Sequence, residues 1–206
     1  MPKGSAKLTE NRKEEIIDAC AKLYETMNYN EVTIKEISKE TSFSRPSIYN
    51  YFESKEEIFL AILTKEYNAW ADDLEQLSLV GSRQSINEYA DRFAKTVAKR
   101  KQLLKIQAMN LYEIEEGSRL ERLVEYKQAF FRATSAFEQS LKASLPELSE
   151  EKIEHFRYAF FPFMYGIYPY AYPTDKQMAA MDQVGLPYQK SSIYDLCFQF
   201  AREFLN

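Results

Sequence analysis

Along most of the chain, apolar residues recur every three or four positions between short polar breaks, the spacing of one buried face of an α-helix. Ile16, Ile17, Cys20, Ala21, Tyr24 and Met27 form the first such stripe. It predicts a helix from about Arg12 to Met27, with Asn11 and Glu14 as a cap pair, behind a polar, lysine-bearing tail of residues 1–8. Thr33 and Glu36 have the spacing of a capping box, ahead of the inward pair Ile34 and Ile37. After the break at Thr41-Ser42-Phe43, Ser44 is placed to cap a second short helix. Pro46 falls in its first turn, where a missing N–H costs little. Ile48 and Phe52 point inward, which leaves Arg45, Ser47, Tyr49 and Asn50 on the outer side. Two short helices around a tight turn, over about residues 33–52, make a helix-turn-helix whose second helix fits a DNA major groove.

Ser54 with Glu57 is a second capping box. It opens a helix from Lys55 to about Leu77 with the stripe Ile58, Phe59, Ile62, Tyr67, Trp70, Leu74 and Leu77, long enough at about 30 Å to join two domains. A break is expected at Val80-Gly81. Further helices are predicted from Ser85 to about Arg100, from Leu103 to about Glu113, and from Ser118 to about Ser144. The last of these is expected to turn Leu120, Leu123, Val124, Phe131, Phe137 and Leu141 inward. Ser149 opens another, carrying Ile153, Phe156, Phe160, Met164 and Ile167, with a kink at Pro162. A short helix near Asp175–Gln183 and a final one from Ser192 to Phe204 complete the chain. No alternating pattern argues for strands. The expectation is an all-α protein of nine or so helices, with a three-helix domain over residues 9–55 and a helical second domain over residues 56–206.

Composition adds an unusual core. Apolar residues make up 45% of the 206, with 15 Tyr and 14 Phe, so the second domain must pack around rings. Cys20 and Cys197 lie too far apart for a metal-ligand spacing and fit a reducing cytosol. MPKGSAK lacks the apolar core of a signal peptide. The run Ala159–Tyr172 is too short, and too broken by Pro162, Gly166 and Pro169, to span a bilayer. A cytoplasmic protein without a membrane partner is expected. No paired carboxylates, Cys–His set, phosphate loop or metal spacing is present. The expectation is therefore no enzyme, no metal and no cofactor. The net charge of −4 weighs against nucleic acid, but its distribution softens this. Residues 1–55 hold nine basic and nine acidic residues, and the rest hold eighteen and twenty-two. Lys3, Lys7, Arg12, Lys13, Arg45 and Lys55 remain available for a local positive surface.

The combination Thr33-Ile34, Ile37, Phe43-Ser44, Ile48-Tyr49, Tyr51-Phe52 and Ser54-Lys55-Glu56 carries more information than a bare helix-turn-helix. In this register, residues 11–63 resemble the N-terminal domain of the tetracycline-repressor (TetR) family of bacterial transcriptional regulators. Three positions depart from the family pattern. Asn28 and Ser42 stand where Gly is common, and Pro46 stands where a small residue is usual. A left-handed Ser42 would cost about 1 kcal/mol.

The resemblance implies roles. Arg45, Ser47 and Asn50 would meet base edges, Arg45 suits bidentate contact with guanine, and Ser44 at the helix start joins the DNA-binding set. Tyr49 and Lys55 would hold phosphates, joined from the first helix by Thr33 and Lys35. The family dimerises through its last two long helices. Phe156, Phe160 and Met164 on one, and Ile193, Leu196, Cys197, Phe200 and Phe204 on the other, would be that interface. Packing into the chain's own core explains those stripes as cheaply. The remaining helices would enclose a small hydrophobic or aromatic effector, with Tyr89, Phe93, Met109, Tyr112, Phe130, Phe131, Tyr158, Phe161 and Tyr165 as candidate walls. Aromatics at helical spacing are also ordinary core. The implied function is a dimeric repressor that binds a palindromic DNA operator and is released by an effector. The alternative is a ligand-binding or protein-interaction module of the same fold without operator binding.

Overall fold

The computed structural model describes residues 3–79 and 83–206. Among these it shows ten helices and no strand: α1 Lys3–Thr26, α2 Ile34–Lys39, α3 Arg45–Ile48, α4 Lys55–Leu79, α5 Ile86–Ala98, α6 Lys101–Glu116, α7 Leu120–Ser144, α8 Glu150–Ala171, α9 Asp175–Gln183 and α10 Ile193–Leu205. The break expected at Val80-Gly81 lies outside the described residues. α1 starts well before the expected Arg12, so Asn11 is an interior helical residue and not a cap. The caps at Ser85, Ser149 and Ser192 are as the sequence predicts, each hydroxyl accepting an N–H three residues on.

The chain divides into two compact units. The first comprises residues 1–66 and 110–130, and the second residues 67–109 and 131–206. The end of α6, the start of α7 and the turn between them thus belong with the helix-turn-helix. The linear division at residue 55 does not follow compactness.

In the first unit α1 packs on α2 and α2 on α3. Ile16, Cys20, Tyr24, Ile34, Ile37, Ile48, Phe52, Ile58 and Phe59 are buried, as their stripes predict. Tyr24 and Tyr29 both meet the Phe59 ring, at 5.0 and 4.9 Å between centroids.

In the second unit α10 packs on α5 and α8. Its core is a ring cluster. Phe93, Phe137, Phe156 and Phe160 lie within 4.8 to 6.1 Å of one another, and Trp70, Phe161, Phe163 and Phe200 extend it. Two pairs of buried polar groups meet here. Trp70 Nε1 donates to Thr96 Oγ1 at 3.0 Å, and the Tyr89 and Ser140 hydroxyls meet at 2.9 Å.

Several expectations are corrected. On α7, Leu120, Val124 and Phe131 are exposed. The buried face is Tyr126, Ala129, Ala133, Ala136, Phe137, Ser140, Leu141 and Ser144, a mostly small-residue stripe that a count of large apolar side chains misses. Phe156, Phe160, Met164, Ile193 and Cys197 are buried within the single chain and so are core, not a dimer face. Of that set only Leu196, Phe200 and Phe204 are partly open. Of the candidate pocket walls, Met109, Tyr112, Phe131, Tyr158 and Tyr165 are exposed, because they sit on the sides of their helices away from the buried stripes. Tyr89 and Phe93 are fully buried, and Phe130 and Phe161 are intermediate. Pro162 and Pro169 lie inside α8, which continues past both to Ala171.

α9 is a separate case. Thr174 and Gln177 form a complete capping box at its start, and Gly185, at φ +66°, ends it with the Leu186 N–H bonded to Met181 O at 3.0 Å. Yet no residue of α9 is buried. The Tyr188 hydroxyl closes the excursion by donating to Tyr170 O at 2.5 Å.

Candidate nucleic-acid interface

The helix-turn-helix is built from α2, α3 and the turn between them. Thr33 Oγ1 accepts the Glu36 N–H at 3.2 Å and so starts α2. The Glu36 carboxylate does not complete the expected box; it turns to the Lys39 ammonium at 2.7 Å. In the turn, the Ser42 N–H donates to Glu15 Oε1 of α1 at 2.6 Å. That bond holds the Glu15 carboxyl below its ordinary value. Among the described residues no side-chain-bearing residue has positive φ, so neither Ser42 nor Asn28 is left-handed. The strain expected at Ser42 is absent, and a carboxylate from α1 anchors the turn where Gly is common. Asn28 ends its turn differently too, its N–H donating to Glu31 Oε2 at 2.8 Å.

α3 is only one turn of α-helix. Ser44 precedes it without a side-chain cap, because its hydroxyl pairs with that of Ser47 at 2.9 Å. Tyr51 and Phe52 N–H groups return to Ile48 O, which prolongs the turn toward α4. Ile48 and Phe52 anchor the segment in the core. The opposite side carries Ser44, Arg45, Tyr49 and Asn50, all exposed, with Ser47 partly so; Thr33 and Lys35 of the α2 start are exposed as well. Of the eight residues expected to meet DNA, six are thus exposed and two, Ser47 and Lys55, partly so.

Lys55 differs. Its ammonium donates to Tyr29 O at 3.0 Å and lies 3.8 Å from the centre of the Tyr29 ring. Glu56 takes the hydroxyl of the same tyrosine at 2.8 Å. Burial, then the Glu56 hydrogen bond and charge, push the Tyr29 phenol far above its ordinary value. Lys55 and Glu56 therefore grip one ring from two sides, and the lysine is a packing residue in this conformation.

Sequence reasoning missed the contacts that hold the start of α4. Ser54 caps Glu57 N–H at 3.2 Å, but the Glu57 carboxylate turns to Glu53 N–H at 2.9 Å and to Arg119. Arg12 donates to the Tyr51 hydroxyl at 3.2 Å, and Arg122 to Tyr51 O at 3.4 Å. The sequence marked a helix start at Ser118 but not the partner that its turn would meet.

Comparison with known proteins decides the family. Residues 16–62 match the model described as "Bacterial regulatory proteins, tetR family". Residues 64–193 match the one described as "Tetracyclin repressor-like, C-terminal domain". The chain belongs to the TetR family. It is thus grouped with DNA-binding, helix-turn-helix transcriptional regulators, as the residues around Arg45 imply.

Among curated relatives, the TetR-family chain is 31% identical over 81 residues to the regulator QacR of Staphylococcus aureus, covering 38% of this chain and 43% of QacR. It is 32% identical over 68 residues to the regulator HbdR of an Aromatoleum strain, covering 33% and 30%. The chain therefore spans less than half of either. Over nearly its whole length it shares the fold of the fatty acid degradation regulator FadR from Bacillus halodurans, with a TM-score of 0.61, 14% identity, and 94% of each chain covered. FadR from Bacillus subtilis, solved in complex with stearoyl-CoA, gives a TM-score of 0.59 at 14% identity, with 93% and 97% covered. No described helix is long and apolar enough to cross a membrane.

Proposed function

We propose that this TetR-family chain is a cytoplasmic repressor that binds a palindromic operator as a homodimer and is released by a small apolar or aromatic effector. The exposed Thr33, Lys35, Ser44, Arg45, Tyr49 and Asn50 with the partly exposed Ser47, held out by the buried Ile34, Ile37, Ile48 and Phe52, are the observation that carries the reading. Arg45 supplies the bidentate donor for a guanine, and the Thr33 hydroxyl and Lys35 suit phosphate at the α2 start. Lys55 joins them only by leaving Tyr29. One head reads a half-site, so useful affinity calls for two. For the dimer, the partly open Leu196, Phe200 and Phe204 of α10 border, with Phe163 of α8, a groove of about 710 Å³. The buried members of the same helices stay in the core. The effector belongs among the aromatic side chains of the second unit, where Phe161 is neither buried nor open.

Titration against DNA from upstream of its own gene, by gel shift at several salt concentrations, tests the reading. Binding that weakens steeply with salt supports it. No salt-sensitive binding to any fragment would leave the fold as a ligand-binding or interaction module. Arg45→Ala should cost about 1–3 kcal/mol on the operator and little on random DNA. Equal losses on both would assign Arg45 to phosphate.

A further inference from the structure

The turn between α6 and α7 is fastened to the start of α4 by a network larger than a helix cap requires. Glu57 is 1% exposed, and its carboxylate takes both arms of the Arg119 guanidinium, Nε at 2.5 Å and Nη2 at 2.9 Å. The backbone N–H groups of Arg119 and Glu53 reach the same carboxylate at 3.3 and 2.9 Å. Arg119 Nη1 also holds the Glu53 carboxylate at 2.9 Å. The Ser54 hydroxyl donates to Gly117 O at 3.0 Å. Arg122 donates to Tyr51 O at 3.4 Å and lies 5.9 Å over the Phe52 ring. A side chain at Gly117 is excluded, because its Cβ would stand 2.5 Å from Glu56 Cγ.

The residues this network grips on the α4 side, Tyr51, Phe52, Glu53, Ser54 and Glu57, lie in the few positions that follow α3. All the gripping residues lie in the 117–122 turn, and the helices on either side of that turn continue into residues of the second unit. For stability alone an apolar pair would serve as well as a buried ion pair. A bidentate guanidinium–carboxylate fork adds something an apolar contact does not, a fixed angle.

We infer that Glu57 and Arg119 are positioning residues for operator reading: the fork sets the orientation of the recognition segment against the α6–α7 turn. Neither residue touches DNA. The inference rests on the proposed function, since it presupposes an operator with two half-sites.

The test uses the full chain. An operator is first enriched from a random duplex library with the unaltered protein. That protein, Arg119→Lys and Glu57→Gln are then titrated on the enriched duplex and on the same duplex with one half-site scrambled, and the enrichment is repeated with each variant. Arg119→Lys keeps the charge but loses the fork. It should melt near the unaltered protein and keep its affinity for the single half-site. On the whole operator it should lose about tenfold or more, and it should enrich sites of altered half-site separation. Unchanged whole-operator affinity and spacing overturn the inference. Equal loss on both duplexes also overturns it, because the fork then only keeps the head folded. Should Arg119→Lys fail to fold, Glu57→Gln carries the same comparison, since it keeps the side chain's size and removes the carboxylate that both arms of Arg119 hold. If the unaltered protein enriches no sequence, the proposed function itself fails; enrichment with an indifferent fork defeats this inference alone.

Discussion

In the first unit, side chains distant in sequence meet mostly through directional bonds: Glu15 on Ser42 N–H, Lys55 and Glu56 on Tyr29, Glu57 on Arg119, Ser54 on Gly117. In the second, rings meet rings, and Phe160 alone is within 6.3 Å of Trp70, Phe93, Phe137, Phe156, Phe161, Phe163 and Phe200. Each hydrogen bond adds only about 1 kcal/mol net, but it fixes an angle. Ring packing is stronger per residue and tolerates rearrangement. A unit that must present side chains to a rigid groove needs the first kind of contact. The ligand-binding role proposed for the second unit would be served by the second kind.

The sharpest way to break this contrast is Phe160→Ala, expected to cost about 3–5 kcal/mol, measured from the urea midpoint. A loss under about 1 kcal/mol would mean that the cluster closes over the hole and that its packing is not what holds the unit. Glu57→Ala should cost less, about 2 kcal/mol, from lost charge-assisted bonds to Arg119 and Glu53. Its effect depends on pH. Burial by itself raises the Glu57 carboxyl, but Arg119 and the two backbone N–H groups outweigh it and hold the group below its ordinary 4.5. The stabilisation is therefore complete above about that value and is lost as pH falls through the lowered folded value. The gap in melting temperature between Glu57→Ala and the unaltered chain should accordingly shrink in acid; a constant gap would separate Glu57 from the pH response. Ser42→Gly is the smallest effect. With no left-handed residue to relieve, Gly should destabilise by about 0.5 kcal/mol through added freedom of the unfolded chain. A gain in stability would restore the strain that the backbone does not show.

Helix positions were legible because period and caps are local. Ser85 with Glu88 and Thr33 with Glu36 announce helix starts within four residues, and the α4 stripe from Ile58 to Leu77 is buried throughout. The outer side of the helix-turn-helix was legible for the same reason: once Ile48 and Phe52 are inward, Arg45 and Tyr49 are not. What failed was whatever depends on a partner far along the chain. Nothing near Lys55 announces that Tyr29 will take its ammonium, or near Ser42 that Glu15 will anchor the turn. Aromatic identity also misled about direction. Phe131 and Phe137 are alike in composition and face opposite ways, because the neighbours that decide the phase of α7 are alanines.

The capped but unburied α9 has a practical consequence. At nine residues it is shorter than the roughly 12–15 at which isolated helices begin to hold in water. Its hydrogen bonds are thus backed by its ends alone, and its amides should exchange with solvent deuterium well before those of α8 or α10 on either side. The same property makes the stretch from Met178 to Asp182 the natural seat for an engineered epitope or fluorophore, since an insertion there displaces no buried side chain.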